Sequence, residues 1–158
     1  MDAAIVSGAD ETMKRTIVNL RSRRPSATGF VVYTNSDCTA LTAGITSTPL
    51  SAPDAVNPAQ WSVAPENLDD FTALGEALSE RARRVADVPA HVHWCFSILG
   101  DALKQLRASD ALPSDGLILI DDFDPSDRTE ALTKRYAEEL NSPTTFARWH
   151  QALWPNAQ

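Results

Sequence analysis

Leu117-Ile118-Leu119-Ile120 constrains the fold of this chain more than any other stretch, because four large aliphatic residues follow Gly116 without a polar interruption. An unbroken apolar run of this length, entered through a glycine and left through Asp-rich sequence, reads as a strand buried inside a sheet. Directly after it come Asp121, Asp122, Asp124 and Asp127, the densest carboxylate cluster in the chain. The loop that leaves a buried strand is where α/β proteins gather ligands and metals, so the same segment marks both the fold and the candidate site.

The partners of that strand are legible in the periodicity elsewhere. Phe30 to Tyr33 and Thr39 to Ile45 are strand-like, and Asn35-Ser36-Asp37 between them is turn chemistry, which predicts an antiparallel hairpin. An N-terminal helix is expected within residues 1–25, starting near Ser7 or Asp10, aligning Met13, Ile17 and Leu20, and stopping at Pro25. From Ser47 to Pro65 the composition turns to Ser, Thr, Asn and Pro around Trp61, which predicts a long structured loop. Leu68, Phe71, Leu74, Leu78 and Val85 then form one helical stripe from about Glu66. Val92, Phe96, Leu99, Leu103 and Leu106 form a second after Pro89. Two short helices follow the buried strand, one lined by Leu132, Tyr136 and Leu140 and one by Phe146, Trp149 and Leu153, with Asn141-Ser142-Pro143 as stop, cap and first helical residue. The expected fold over residues 1–158 is a single α+β domain, a small sheet containing the hairpin and the later buried strand, packed by about five helices. Phe96 and Leu99 are placed in its core.

Charge narrows the partners. The formal net charge is -7, and residues 109–127 hold Asp110 and Asp115 besides the four aspartates above, with no Lys or Arg. Such a field repels phosphate backbones and attracts cations or basic proteins, which argues against a nucleic-acid role. Cys38 and Cys95 are too few for a disulfide framework and lack metal-ligand spacing, so reduced thiols and a cytoplasmic setting are expected. Neither an export signal nor a membrane anchor is expected from the apolar runs.

Candidate chemistry is incomplete wherever it is sought. Asp121-Asp122-Phe123-Asp124 matches in outline the strand-end motif of haloacid-dehalogenase-type phosphatases, in which one aspartate is the nucleophile and a second the acid/base beside Mg²⁺. That motif lies on the first strand of its family and needs a later lysine and further aspartates. The plainer reading is a solvated loop in which Asp124, Ser126 or Asp127 caps the next helix. His91, His93 and Cys95 would make a zinc triad on a strand. On the helix that the apolar spacing predicts, the two imidazoles point about 200° apart. Cys95 then falls on the apolar stripe as a small buried hydrophobe. No nucleophile elbow or glycine-rich phosphate loop is present, and Trp61, Trp94, Trp149 and Trp154 read as core packing. The Arg21, Arg23, Arg24 and Arg81, Arg83, Arg84 groups read as helix-end charge. Neither a cofactor nor a bound metal is expected.

Taken in order, a helix, the aromatic strand Phe30-Val31-Val32-Tyr33-Thr34, a second small-residue strand, a loop with Gln60-Trp61, two amphipathic helices, an apolar strand ending in Asp, and Leu140-Asn141-Ser142-Pro143 resemble the bacterial domain-of-unknown-function family 4303 across residues 28–153. The resemblance implies an immunity protein that binds and blocks a toxic bacterial effector, and it implies no catalytic residues. Asp121, Asp122, Asp124 and Asp127 are the expected partner-binding residues, since an acidic surface speeds encounter with a basic one. Tyr33 and the loop around Trp61 stand next in line. A small metal-dependent hydrolase using Asp121, Asp122 and Asp124, or a general protein-interaction module, are the alternatives.

Overall fold

Strand β1 (Gly29–Thr34) lies at the centre of a three-stranded sheet, pairing antiparallel with β2 (Leu41–Thr46) and parallel with β3 (Leu117–Asp122), in the order β2-β1-β3. The computed structural model describes residues 1–61 and 65–155 and surrounds the sheet with five α-helices: α1 (Asp2–Arg23), α2 (Leu68–Ala82), α3 (Val88–Ala108), α4 (Asp127–Leu140) and α5 (Pro143–Leu153). This is the expected α+β fold, with hairpin and later strand in one sheet. Residues 62–64 of the expected Ser47–Pro65 loop lie outside the described residues; the described part carries two short 3₁₀ turns, Pro53–Val56 and Pro58–Gln60. No helix among the described residues is long and apolar enough to cross a membrane.

The unbroken apolar run of β3 is explained by helices on both faces of the sheet. Phe30, Val32, Ile118 and Ile120 enter one core with Leu20, Phe71, Leu78, Phe96 and Leu103. Val31, Leu117 and Leu119 enter the other with Leu50, Val56, Ala137 and Trp149. Because successive strand residues alternate between faces, a strand covered on both sides must be apolar at every position rather than at every second one.

Several boundaries differ from the sequence expectation, each for a local reason. Helix α1 begins at Asp2, and Ser7 and Asp10 lie inside it. Its start has no side-chain cap, and Ile5 and Ala9 extend the buried stripe through Met13 to Leu20. Packing there outweighs a cap contribution of about 1 kcal/mol. Strand β2 starts at Leu41 rather than Thr39, because Asn35 Oδ1 accepts from both the Thr39 and Ala40 amides (2.8 and 3.0 Å) and holds them in the turn. Cys38 takes the left-handed conformation (φ 55°) there. Helix α2 starts at Leu68 because Asn67 turns its side chain to α1, donating to Thr12 O and Thr16 Oγ1, and Val85 falls beyond its end.

Helix α4 runs along the outer edge of β3, sending Leu132, Tyr136 and Leu140 into one core and Ala137 into the other. At its end Asn141 closes the edge as a strand would. Its Oδ1 accepts from Ile118 N (2.8 Å), and its Nδ2 donates to Ile118 O (2.7 Å) and Ala137 O (2.8 Å). Arg107 of α3 braces this corner, donating to Leu140 O, Gly116 O and Asn141 Oδ1. An Asn read only as a helix stop thus joins α3, β3 and α4.

Candidate functional site

Strand β3 continues through the first two aspartates, since Asp121 and Asp122 pair in register with Tyr33 and Thr34 of β1. Alternation therefore separates them. Asp121 lies on the Val31-Tyr33 face, and Asp122 lies on the face of Phe30 and Val32. Asp122 is buried at 6% exposure, its Oδ1 accepting from Asp124 N (2.8 Å) while its Oδ2 has no partner among the described residues. Asp124 and Asp127 are exposed. The helix cap falls to Ser126, whose hydroxyl accepts from Thr129 N while Thr129 Oγ1 accepts from Ser126 N; Asp127 opens α4, where a carboxylate suits the helix dipole. The four expected site residues thus divide into one buried, one half-buried and two exposed carboxylates.

What gathers around Asp121 is aromatic. Tyr33 stands beside it in the sheet, Phe123 follows at 59% exposure, and Trp61 arrives from the loop after β2. With Thr42 and Pro58 they line an open cleft of about 420 Å³ at the end of the sheet. Trp61 is fixed by its indole, which donates to Ala55 O (2.9 Å). Its ring lies so close to β1 that a Cβ on Gly29 would sit 2.7 Å from it, so the glycine makes its place. Tyr33 and Trp61, the second-choice surface from sequence, and Asp121, from the first choice, line one cleft. Phe123 escaped the sequence reading because an aromatic next to a buried strand looks like core, and only the loop's geometry turns it outward.

Burial dominates the electrostatics of the cleft. Burial pushes the Asp121 carboxyl up to about 6; the amide of Asp122, donating to its Oδ1 at 2.9 Å, opposes the shift, and the Asp122 charge adds to it. No Lys or Arg pairs with Asp121 among the described residues. The Tyr33 hydroxyl is buried without a partner among the described residues, and burial together with the Asp121 charge raises its pKa. Asp121 accordingly weakens the fold when ionised. Its folded pKa lies above the ordinary unfolded value near 3.9, so this group's contribution is most favourable below about pH 4 and is lost as pH rises to about 6. Asp121→Asn keeps the acceptor for the Asp122 amide. It is expected to stabilise the protein at pH 7–8 by about 1–3 kcal/mol and to leave stability unchanged at pH 3.5–4. Urea midpoints of both proteins across this range check it; an equal difference at both ends would contradict the assignment.

The second candidate, around His91, is structural. His91 and His93 lie on α3 with His91 buried and His93 exposed, which rules out a shared metal. Arg81, stacked 3.8 Å over the Trp94 ring and paired with Asp2, meets His91 Nδ1 at 2.8 Å. A guanidinium only donates, so Nδ1 accepts and Nε2 carries the proton of the neutral ring, 3.4 Å from Cys95 Sγ. Burial lowers the His91 pKa, and the Arg81 charge adds to that. Hydrogen bonding to Cys38 and burial hold the Cys95 thiol protonated. Arg81 is therefore more than helix-end charge. Among the described residues no group of three His, Cys, Asp or Glu side chains is arranged to hold a metal ion.

In comparisons with known proteins, the chain matches no family model, no curated protein and no solved structure.

Proposed function

We propose that the chain is an immunity protein that binds and neutralises a bacterial effector toxin in the cytoplasm, acting by docking and without cofactor, nucleic acid or membrane. The resemblance to family 4303 supplies this reading. The observation that supports it best is Phe123, a large aromatic held 59% exposed on a loop whose neighbours Asp124 and Asp127 are also exposed. An exposed aromatic with charged residues around it is the composition of a binding hot spot and its rim, and the carboxylates add attraction for a basic surface. A metal-dependent hydrolase would need Asp121, Asp122 and Asp124 to converge on one ion. Asp121 and Asp122 both border the cleft, but they occupy alternate positions of β3, and among the described residues no three such side chains are arranged around one ion, which favours the binding reading.

The test is to express each reading frame flanking the gene in a bacterial host, with and without this chain. One of them is expected to arrest growth alone, to be relieved by co-expression, and to form a complex when both proteins are purified. Toxicity that co-expression never relieves, or no toxic neighbour at all, would overturn the reading. For the complex, Asp124→Asn with Asp127→Asn is expected to slow association about 3–10-fold at low salt, with the difference fading as salt is raised toward 0.5 M. Both side chains are exposed, so thermal stability should hardly move. Unchanged association at low salt would place the interface elsewhere.

A further inference from the structure

We propose that the cleft between Tyr33, Trp61 and Phe123 receives an arginine side chain of the protein partner, with Asp121 as its counter-charge. The inference rests on the reading of the chain as a protein-binding inhibitor and specifies what its partner must present. Four observations carry it. Three aromatic side chains from separate segments, β1, the loop after β2 and the loop after β3, line one cleft with Asp121. The carboxylate has no cationic partner among the described residues, although other carboxylates of the chain, such as Asp70 and Glu66, are paired with arginines. The Tyr33 ring lines the same cleft, while its hydroxyl is buried with no partner among the described residues. The cleft, about 420 Å³ and open to one side, has room for a side chain entering end-on.

Arginine satisfies these features together. Its guanidinium is planar, so its faces stack on aromatic rings while its edge donates to several acceptors. Here the acceptor is the Asp121 carboxylate, and the Tyr33, Trp61 and Phe123 rings supply the faces. An ammonium is a compact, strongly hydrated charge that would use the carboxylate and leave the ring faces underused. A neutral apolar side chain would fill the cleft and leave the carboxylate without a partner. The cation also restores what burial takes from Asp121, favouring its ionised form once the partner is seated.

The experiment is a titration of the whole chain with Nα-acetyl-arginine methylamide, followed by NMR at the Trp61 indole Nε1–H and the aromatic signals of Tyr33 and Phe123. The corresponding lysine and citrulline derivatives are run beside it. A single side chain should bind in the millimolar range, shifting these signals. Citrulline, nearly isosteric and uncharged, should not bind detectably, and lysine should bind several-fold more weakly. Asp121→Asn should weaken arginine binding about 10-fold or more, a single ion pair in a part-buried site, and Phe123→Ala about 3–10-fold. The first is isosteric and the second alters an exposed side chain, so both variants retain the fold, which the unperturbed amide spectrum verifies. Equal binding of citrulline, unchanged binding by Asp121→Asn, equal binding of lysine, or no shift at tens of millimolar would each overturn the proposal. Failure here combined with relief of a neighbouring toxin would remove the arginine site and leave the inhibitor reading standing. Arginine binding without any such relief would do the reverse.

Discussion

Asn141→Ala is expected to destabilise the protein by about 3–5 kcal/mol, seen as a lower urea midpoint and a melting temperature reduced by roughly 10 °C or more. The substitution removes an acceptor and two donor bonds at once. It leaves the N–H and C=O of Ile118 and the Ala137 carbonyl without their partners in an interior where water does not replace them. Arg107 loses one of its acceptors as well. Asn141→Asp separates the contributions: it keeps an acceptor for the Ile118 amide and loses both donors, so it should fall no closer to the native protein than halfway. An alanine variant within 1 kcal/mol of the native protein would mean that the β3 edge is held by apolar packing alone.

Phe96→Ala is expected to cost about 3–5 kcal/mol, with Leu99→Ala at about 2–5 kcal/mol, through lost transfer free energy and the cavity left behind. Phe96 is fully buried in the middle of α3 and packs against Tyr136, ring centroids 6.0 Å apart, so its removal loosens the contact of α3 with α4. Val18→Ala on the solvent side of α1, at 62% exposure, is the control and should change stability by less than about 0.5 kcal/mol. Chemical denaturation of the three variants checks the prediction. A Phe96 variant no less stable than the Val18 control would show that the buried face of α3 is misassigned.

The parts of this structure that sequence made visible are those governed by short-range pattern. The apolar run at Leu117, the turn at Asn35 and the stripe from Val92 to Leu106 are each signals carried within a few neighbouring residues, and all three appear as expected. The site was only half legible, because its decisive geometry is long-range. Strand β3 was expected to end at Ile120, where the apolar run stops. It runs two residues further because β1 continues to Thr34 and offers Asp121 and Asp122 partners in register. Those two residues of pairing turn an acidic loop into carboxylates on opposite faces. The meeting of Trp61 with Tyr33 and Asp121 depends on contact across separate segments and on the space left by Gly29, and neither carries a local signal. The start of α1 was missed for the opposite reason. Ser7 and Asp10 are plausible caps, but Ile5 and Ala9 pack well enough to carry the helix past them.

The occupied edge of β3 also limits how a partner can bind. In a parallel strand the residues that pair with one neighbour alternate with those whose amides face away, and here Leu117 pairs with Thr28 while Ile118 faces outward. Asn141 takes both outward groups of Ile118, and the outward amide of Asp122 is taken by the carboxylate of Asp121. An incoming peptide would find the Ile118 groups and the Asp122 amide already taken and α4 packed against the strand. Strand addition, a common route by which sheets recruit extended peptides and aggregate edge to edge, is therefore obstructed on this side of the molecule. A partner docking at the end of the sheet, as proposed, would have to use side chains instead.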